Sequence, residues 1–208
     1  VNADGLTDIV QSYNSLNKVY INQGTSWALD TNWTPKCSFL SIIFGDTGCR
    51  LVDVNGDDLP DFVWGIGTSD GNPPIETNIF LNNGNGWSAD PEPGWELPLD
   101  LRWGVMPVDY NGDGLLDFLK GYKNPDSNPP ISIQEAYRNN GDKTWSLDTS
   151  YAPPVYFAVQ TSGASLPVTT GIQLADINAD GLVDILRGTE TTDGGNLNKG
   201  TGWHFTPN

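Results

Sequence analysis

The sequence predicts an all-β fold built from four repeated units of short antiparallel strands. Turn-forming residues are abundant, with 24 Gly and 15 Pro among 208 residues. Short β-branched or aromatic runs lie between these turn signals, and no window shows the sustained apolar period of an amphipathic helix. Two short motifs also recur in alternation along the chain. A chain of this length can bury a substantial core as one domain.

The first motif is a nine-residue acidic loop with the pattern Asp-x-Asn-x-Asp-Gly-x-x-Asp. It occurs in full at residues 53–61, 109–117 and 176–184, with Asp58 at the Gly position of the first of these copies. Residues 1–8 carry the same motif without its first Asp. The sixth position must turn sharply, and Gly and Asp tolerate the left-handed backbone region better than most residues. A short apolar run follows each copy, which predicts a strand there.

The second motif is an apolar stretch that ends in Asn-x-Gly and is followed by a Trp. The Asn residues of its four copies are Asn22, Asn82, Asn139 and Asn198. The Trp residues that follow recur in register, so we expect them to pack in the core or between units rather than to form a sugar platform. These residues are Trp27, Trp87, Trp145 and Trp203.

The spacing of the acidic loops indicates the size of one unit. Asp53 and Asp109 are 56 residues apart, and Asp109 and Asp176 are 67 residues apart. That length suits three or four short antiparallel strands, the size of one blade of a β-propeller. We place the first strand before each acidic loop, the second after it, the third before Asn-x-Gly and the fourth at the Trp. The chain is therefore predicted to be one repeat domain over residues 1–208, with units at about 1–47, 48–103, 104–170 and 171–208, the first of them truncated.

The acidic loop has the chemistry of a calcium site. Calcium takes about 6–8 oxygen ligands at about 2.3–2.6 Å, in flexible geometry. Oxygens at loop positions 1, 3, 5 and 9 can surround one point, and the carboxylates among them repel one another unless a cation neutralises them. Magnesium fits less well because it keeps several waters, and an EF-hand would need Glu where Trp64, Lys120 and Arg187 stand. A metal-free loop of Asx turns is the alternative.

Together the two motifs resemble the FG-GAP/VCBS repeat family, and the resemblance covers nearly the whole chain. That family includes the calcium-bearing blades of integrin α-subunit propellers, certain fungal lectins, and surface and toxin proteins of the Rhs type. The resemblance implies three to four structural Ca²⁺ ions and a partner surface that varies from member to member. It implies calcium ligands at Asp53, Asn55, Asp57 and Asp61, at Asp109, Asn111, Asp113 and Asp117, at Asp176, Asn178, Asp180 and Asp184, and a partial set at Asn2, Asp4 and Asp8.

The number of units leaves the arrangement open. Propellers of this kind usually close with about seven blades, whereas four units are present here. The chain could be part of a longer propeller, or a four-bladed ring completed by an outside strand. It could also form an open array in which a neighbouring subunit completes the first unit, giving a head-to-tail filament.

The charge of the chain restricts its partners. There are 26 acidic residues against 10 basic ones, for a formal net charge of −16. Nucleic acid and anionic membranes both attract clustered Lys and Arg, so neither is expected as a partner. No apolar stretch approaches the roughly 20 residues that span a bilayer, so membrane insertion is not expected either. A protein or a glycan at the extracellular surface is the expected partner.

The two cysteines and one sequon predict a secreted or cell-surface protein. Cys37 and Cys49 form an even pair in a Gly/Asn-rich sequence, which favours a disulfide and an oxidising compartment, with two free buried thiols as the alternative. A zinc site is not expected, because the only His is His204. Asn32-Trp33-Thr34 is the only N-glycosylation sequon, so Asn32 is a predicted glycosylation site.

These observations predict a non-catalytic binding or structural module. Catalysis would need an acid/base pair, an activated nucleophile or an open metal position. His204 has no Ser or Cys constellation around it in the sequence, and the five Glu residues are scattered. We therefore expect an extracellular calcium-stabilised scaffold for adhesion or structure rather than an enzyme. A subunit of a self-assembling extracellular filament and a carbohydrate-binding lectin are the alternatives.

Overall fold

The computed structural model describes residues 1–14, 16–43, 45–67, 76–91, 94–188 and 193–206, and they form an all-β fold. Over these ranges the chain has nineteen strands and a single 3-10 turn at Thr149–Tyr151, with no α-helix. None of the described segments forms a helix with the length and hydropathy of a membrane span. The chain divides into two compact units, Val1–Arg102 and Trp103–Asn208, and each contains two sheets.

Unit 1 contains the first and second sheets. The first sheet has the spatial order β3-β2-β1-β4-β5 and consists of β1 (Ile9–Tyr13), β2 (Leu16–Asn22), β3 (Trp27–Asp30), β4 (Leu40–Ser41) and β5 (Gly45–Asp46). The second sheet has the order β6-β7-β8-β9 and consists of β6 (Cys49–Val52), β7 (Asp61–Ile66), β8 (Glu76–Asn82) and β9 (Trp87–Ala89).

Unit 2 contains the third and fourth sheets. The third sheet consists of β10 (Val105–Val108), β11 (Asp117–Asn124), β12 (Ile131–Asn139), β13 (Trp145–Leu147), β14 (Ala158–Val159) and β15 (Val168–Thr169). Its order is β13-β12-β11-β14-β15, and β10 also pairs with β11. The fourth sheet has the order β16-β17-β18-β19 and consists of β16 (Ile172–Ala175), β17 (Asp184–Gly188), β18 (Asp193–Asn198) and β19 (Trp203–Thr206).

The predicted all-β fold with four antiparallel blade-like units is confirmed. In the second, third and fourth sheets one strand precedes the acidic loop and the next begins at the last Asp of the loop. In all four sheets a strand ends at the Asn of Asn-x-Gly, and another begins at the Trp. The acidic loops therefore connect the first and second strands of the repeat, as expected from the motif order.

Two short parallel pairings are additions that the repeat pattern does not predict. β4 pairs with β1 through Leu40 and Tyr13, and β14 pairs with β11 through Ala158 and Tyr122. The lengths of the strands explain the pairing of β14 with β11. β10 covers only the first four residues of the eight-residue β11, so the rest of that edge is open to another strand.

The core of unit 1 lies between its two sheets. Val19 of β2 is fully buried against Phe62 of β7 and Trp87 of β9. The rings of Phe62 and Trp87 meet edge to face with centroids 4.7 Å apart, and Trp33 packs on Trp87 at 4.8 Å. Such aromatic pairs add to the gain from burying their apolar area. The second-sheet Trp thus packs as expected.

The core of unit 2 repeats this arrangement. Leu119 and Ala136 of the third sheet are fully buried against Ile172 and Ile185 of the fourth sheet, and Trp203 packs at the edge of the cluster. In both units, therefore, one face of the earlier sheet packs on one face of the following sheet.

Of the four motif Trp residues, which we expect in the core or between units, the first does not pack in the core of its own unit. Trp87 is 6% exposed, and Trp145 and Trp203 are partly buried, but Trp27 is 49% exposed. Trp27 and Trp87 occupy equivalent positions in the motif. Their exposure differs because it depends on whether another sheet covers the face on which the Trp lies.

Candidate metal-binding loops

The first Asp of each complete acidic loop closes the loop by accepting main-chain hydrogen bonds. In the third sheet, Oδ1 of Asp109 accepts from the amide of Gly112 at 2.7 Å, and Oδ2 accepts from Gly114 at 2.9 Å. Asp53 and Asp176 accept amide hydrogen bonds from the same part of their own loops. The first carboxylate therefore holds the turn in shape.

The third and fifth positions form Asx turns one after the other. Oδ1 of Asn111 accepts from the amide of Asp113 at 2.8 Å, and Oδ1 of Asp113 accepts from the amide of Leu115 at 2.9 Å. The same two bonds recur in the second and fourth sheets. The sixth position has a left-handed backbone, with φ of +86° at Gly114 and +65° at Asp58, as its residue types predicted.

The ninth-position Asp is buried and links the two motifs of the repeat. Asp61, Asp117 and Asp184 are each 0% exposed, and each accepts at Oδ1 from the main-chain amide of the Asn in the Asn-x-Gly motif. In the first sheet, Asp8 accepts from Asn22 in the same way, at 2.8 Å. The acidic loop is thus tied to the end of the third strand in all four sheets.

The Asn of the second motif shapes its own turn. Oδ1 of Asn82 accepts from the amide of Gly84 at 2.9 Å, and the same bond forms at Asn22, Asn139 and Asn198. Sequence reasoning treated this motif as the end of a strand and missed its bond to the acidic loop. The signal was present, because the Asp and the Asn occur together in every repeat.

The second oxygen of the ninth-position Asp faces the start of its loop. Oδ2 of Asp61 accepts from the amide of Val54 at 3.1 Å, and Oδ2 of Asp184 accepts from Ile177 at 3.0 Å. The main-chain nitrogen of Val1 donates to Asp8 at the equivalent position. Oδ2 of Asp117 is buried and has no donor at hydrogen-bond geometry within the described part of the chain.

The buried carboxylates are electrostatically unfavourable as anions. Burial raises the pKa of Asp61 to about 6, and the nearby carboxylates of Asp57 and Asp53 add to the rise. Burial likewise raises the pKa of Asp117 to about 7, with contributions from Asp113 and Asp109. In each case the hydrogen bonds that main-chain amides donate to the carboxylate lower the pKa and so partly offset this rise. A cation among these carboxylates would relieve both the desolvation and the repulsion.

The side-chain oxygens of the loops are the kind of ligand that calcium prefers. Each complete loop offers three carboxylates and one amide oxygen, which are hard oxygen donors. Oδ1 of Asn2 and Oδ2 of Asp117 are buried oxygens without a hydrogen-bond donor in the described ranges. No three His, Cys, Asp or Glu side chains of the described residues are grouped so that they could hold a metal ion. The Asp and Asn side chains of the loops instead accept hydrogen bonds from main-chain amides of their own loops.

The predicted ligands therefore fall into three groups by burial. The ninth-position residues Asp61, Asp117 and Asp184 are buried, and Asp8 is partly buried. Four others, Asp53, Asp109, Asn111 and Asn2, are also partly buried. The remaining predicted ligands are exposed: Asn55, Asp57, Asp113, Asp176, Asn178, Asp180 and Asp4.

The predicted disulfide is confirmed. Cys37 and Cys49 are bonded, with their Cα atoms 5.9 Å apart, and Cys49 is buried in the core of unit 1. The predicted glycosylation site Asn32 is exposed beside the buried Trp33, so its side chain is accessible.

A polar cleft also lies beside β8 and β9, away from the acidic loops. Its volume is about 350 Å³, and its lining includes Asn78, Phe80, Asp90 and Glu96. Asn78 and Glu96 are exposed, whereas Oδ2 of Asp90 accepts a 3.0 Å bond from the amide of Trp95. The cleft therefore presents an amide, a carboxylate and an aromatic ring.

Comparison with solved structures shows where this fold occurs. The chain is similar to a lectin of Agrocybe aegerita described as specifically recognising non-reducing terminal N-acetylglucosamine, with a TM-score of 0.56 and 18% identity over 98% of this chain and 48% of that one. It is also similar to a chain of the Photorhabdus luminescens Tc holotoxin pore, with a TM-score of 0.52 and 17% identity over 99% of this chain and 9% of that one. The chain thus spans about half of the lectin chain and a small part of the toxin chain.

Comparison at the level of sequence identifies a repeat in part of the chain. No curated protein sequence matches the chain. A model of the FG-GAP-like repeat matches residues 53–119, which contain two acidic loops with one Asn-x-Gly motif and its Trp between them. Residues 53–119 therefore match the FG-GAP-like repeat, in agreement with the resemblance that the paired motifs indicated.

Proposed function

We propose that the chain is a calcium-stabilised, non-catalytic repeat module of the extracellular space that serves as a scaffold for adhesion or structure. The observation that carries the proposal is the common construction of its four acidic loops. Each loop has its ninth-position Asp bonded to the Asn that ends the third strand. An ion bound in such a loop would stabilise the junction of three strands.

The hydrogen bonds of the loops leave room for calcium binding. A carboxylate has about four lone-pair sites, so an oxygen that accepts one amide bond can still bind a cation. Asp61 and Asp117 are buried beside two further carboxylates each, and their pKa values are raised accordingly. A cation that neutralises this charge binds the folded state only, and so stabilises it by mass action. Three to four ions are proposed, one for each loop.

The extracellular location is proposed from the disulfide and from the predicted glycosylation site. The Cys37–Cys49 disulfide is typical of proteins from oxidising environments. Asn32 is exposed and available for glycosylation. The net charge of −16 also suits a calcium-rich extracellular medium, because bound cations offset self-repulsion.

The non-catalytic role is supported by how the acidic groups are used. Most of the Asp residues in regular positions accept main-chain hydrogen bonds within their loops. His204 is exposed on β19. The partner is expected to be a protein or a glycan.

Calcium binding is tested by counting ions and measuring thermal stability. We expect equilibrium dialysis to give three to four bound calcium ions per chain, and excess chelator to lower the melting temperature by more than about 5 °C. Asp113→Ala should remove one ion and leave the others bound. Asp126→Ala is the matched control, because Asp126 is exposed and lies outside the loops. An unchanged melting temperature in chelator would rule out the calcium scaffold.

A lectin is the second candidate, because the cleft beside β8 and β9 has suitable chemistry. Asn78 and Glu96 offer hydrogen bonds to hydroxyl groups, and the partly buried ring of Phe80, which has the Lys36 ammonium over it, adds an apolar wall to the cleft. The similar fold of the N-acetylglucosamine-recognising lectin supports the choice of ligand class. An array of glycans with terminal N-acetylglucosamine, probed with the wild type and with Asn78→Ala, tests this candidate. Loss of binding in the variant supports it, and absence of binding by the wild type excludes it.

A further inference from the structure

Five Asn residues of this chain are directly followed by Gly. They are Asn55, Asn83, Asn85, Asn111 and Asn140. In an Asn–Gly pair the main-chain nitrogen of the Gly can attack the side-chain amide carbon of the Asn, and Gly hinders this attack least because it has no Cβ. The sequence makes all five pairs candidates for this reaction, so the local structure decides which of them reacts in the folded chain.

Two conditions control the attack. The Gly nitrogen becomes a nucleophile only when it loses its proton, and a hydrogen bond from that N–H to a side-chain oxygen keeps the nitrogen protonated and in place. The Asn side chain must also rotate until its Cγ atom meets the nitrogen, and hydrogen bonds of the side-chain amide oppose that rotation. Each such bond has to be broken before the reaction can occur.

The two pairs in the acidic loops meet neither condition. The amide of Gly112 donates to Oδ1 of Asp109 at 2.7 Å. Oδ1 of Asn111 accepts from the amide of Asp113 at 2.8 Å. The equivalent bonds form in the loop at residues 53–61. Both Gly nitrogens and both Asn side chains are therefore held in place.

The two pairs that belong to Asn-x-Gly motifs are held as well. In the second sheet, the amide of Gly84 donates to Oδ1 of Asn82 at 2.9 Å. Oδ1 of Asn83 accepts from the amide of Asn85 at 3.0 Å. In the third sheet the same Gly bond forms at 2.9 Å, and Nδ2 of Asn140 donates to two hydroxyl groups at 2.9 and 3.0 Å.

The pair Asn85–Gly86, in the turn between β8 and β9, differs in both respects. Over the ranges that the structure describes, the amide of Gly86 donates no hydrogen bond, and the side chain of Asn85 makes none. Asn85 is exposed, and nothing lies within 4 Å of the position that a Cβ on Gly86 would take. The two reacting groups are thus unrestrained by hydrogen bonds and have open space around them.

We propose that Asn85 is a site of spontaneous deamidation in the folded chain, with water as the only co-reactant. The nitrogen of Gly86 forms a bond to Cγ of Asn85 and gives up its proton, and the bond from Cγ to Nδ2 breaks. Nδ2 leaves with that proton as ammonia, and a cyclic succinimide remains. Water then adds to one of the two ring carbonyl carbons and breaks its bond to the Gly86 nitrogen.

The carbon that water attacks decides the product. Opening at Cγ gives Asp at position 85, and opening at the main-chain carbonyl carbon gives isoaspartate. Both products add a negative charge to the turn, and isoaspartate also inserts its Cβ into the main chain. The insertion lies just before Trp87, which is 6% exposed and donates from Nε1 to the carbonyl of Pro60 at 2.8 Å. The modification therefore falls where the second sheet is joined to its acidic loop.

Peptide mapping by mass spectrometry tests the proposal with the 208-residue chain. The folded chain is incubated at mildly alkaline pH in chelator, so that the result does not depend on calcium occupancy, and circular dichroism confirms folding. A parallel incubation in urea is the control, because unfolding breaks the hydrogen bonds that hold the other four pairs. Asn85→Ser removes the proposed site. Asn140→Ser is the matched variant, since Asn140 is also exposed and followed by Gly.

The expected pattern depends on folding. In the folded chain Asn85 should deamidate at least about fivefold faster than each of the other four, because one typical net hydrogen bond corresponds to a factor of about this size. In urea the five rates should become similar. Asn85→Ser should abolish most of the ammonia release from the folded chain, and Asn140→Ser should leave it unchanged. The proposal is overturned if Asn85 is not the fastest of the five in the folded chain, or if it keeps the same lead in urea.

Discussion

The main-chain amide of Asn198 donates a 2.7 Å hydrogen bond to Oδ1 of Asp184, and both residues are completely buried. This bond joins the two motifs of the repeat, which are 14 residues apart in the fourth sheet. The same bond occurs in the other three sheets. The ninth-position Asp therefore has a structural role in the metal-free loop as well as a proposed role as a calcium ligand.

Replacing Asp184 by Ala should destabilise the chain even without calcium. The change leaves the buried amide of Asn198 and the partly buried amide of Ile177 without their acceptor, at a cost of about 2–4 kcal/mol in the free energy of unfolding. Urea denaturation in chelator measures it. Asp180→Ala is the control, because Asp180 is exposed in the same loop and should cost about 1 kcal/mol or less. Equal losses in the two variants would contradict the structural role of Asp184.

The metal-free chain should become more stable as the pH falls from about 7 to about 4. The pKa is raised to about 6 at Asp61 and about 7 at Asp117, whereas an unfolded Asp titrates near about 3.9. The folded state therefore binds protons more tightly than the unfolded state, and stability is lost as the pH rises through these values. Melting temperatures in chelator at pH 5.5 and 7.5 test the direction.

Saturating calcium should remove or reverse this pH dependence. Protons and calcium compete for the same carboxylates, so calcium affinity should increase as the pH rises through about 6 to 7. Calcium titrations at the two pH values measure the change. A calcium affinity independent of pH over this range would contradict the participation of Asp61 and Asp117.

Removing the disulfide should weaken unit 1 and leave unit 2 unchanged. Cys37 and Cys49 are 12 residues apart, and closing a loop of that size contributes about 2–3 kcal/mol by restricting the unfolded chain. The double variant Cys37→Ser/Cys49→Ser should therefore show faster amide hydrogen exchange in residues 1–102. Protection of the amides in residues 103–206 serves as the internal control. Equal loss of protection in both units would contradict a local effect.

Gly48→Ala should be much more destabilising than Gly24→Ala. Both glycines have a left-handed backbone, with φ of +75° and +81°, so Ala costs about 1–2 kcal/mol at either position. A Cβ at Gly48 would also lie 2.5 Å from the carbonyl oxygen of Gly65, whereas nothing lies within 4 Å at Gly24. Displacing that backbone should add about 1–3 kcal/mol. Thermal melting of the two variants makes the comparison, and similar melting temperatures would contradict it.

Local features of the fold could be read from the sequence because they depend on neighbouring residues. The alternation of the two motifs predicted four units, and the strands lie where the motif order placed them. The left-handed turn at Gly114 follows from its residue type, and the pairing of Cys37 with Cys49 follows from the presence of only two cysteines. The loop positions of the candidate ligands were likewise predictable from their spacing.

Other features depend on contacts between distant parts of the chain, and only the tertiary structure decided them. The bond between Asp184 and Asn198 requires the third strand to end beside the acidic loop, and the recurrence of the two motifs indicates a link between them without specifying this contact. Trp27 and Trp87 occupy equivalent sequence positions, yet one is exposed and the other buried. The physical reason is that periodicity fixes which face a side chain takes, whereas burial depends on whether another sheet covers that face.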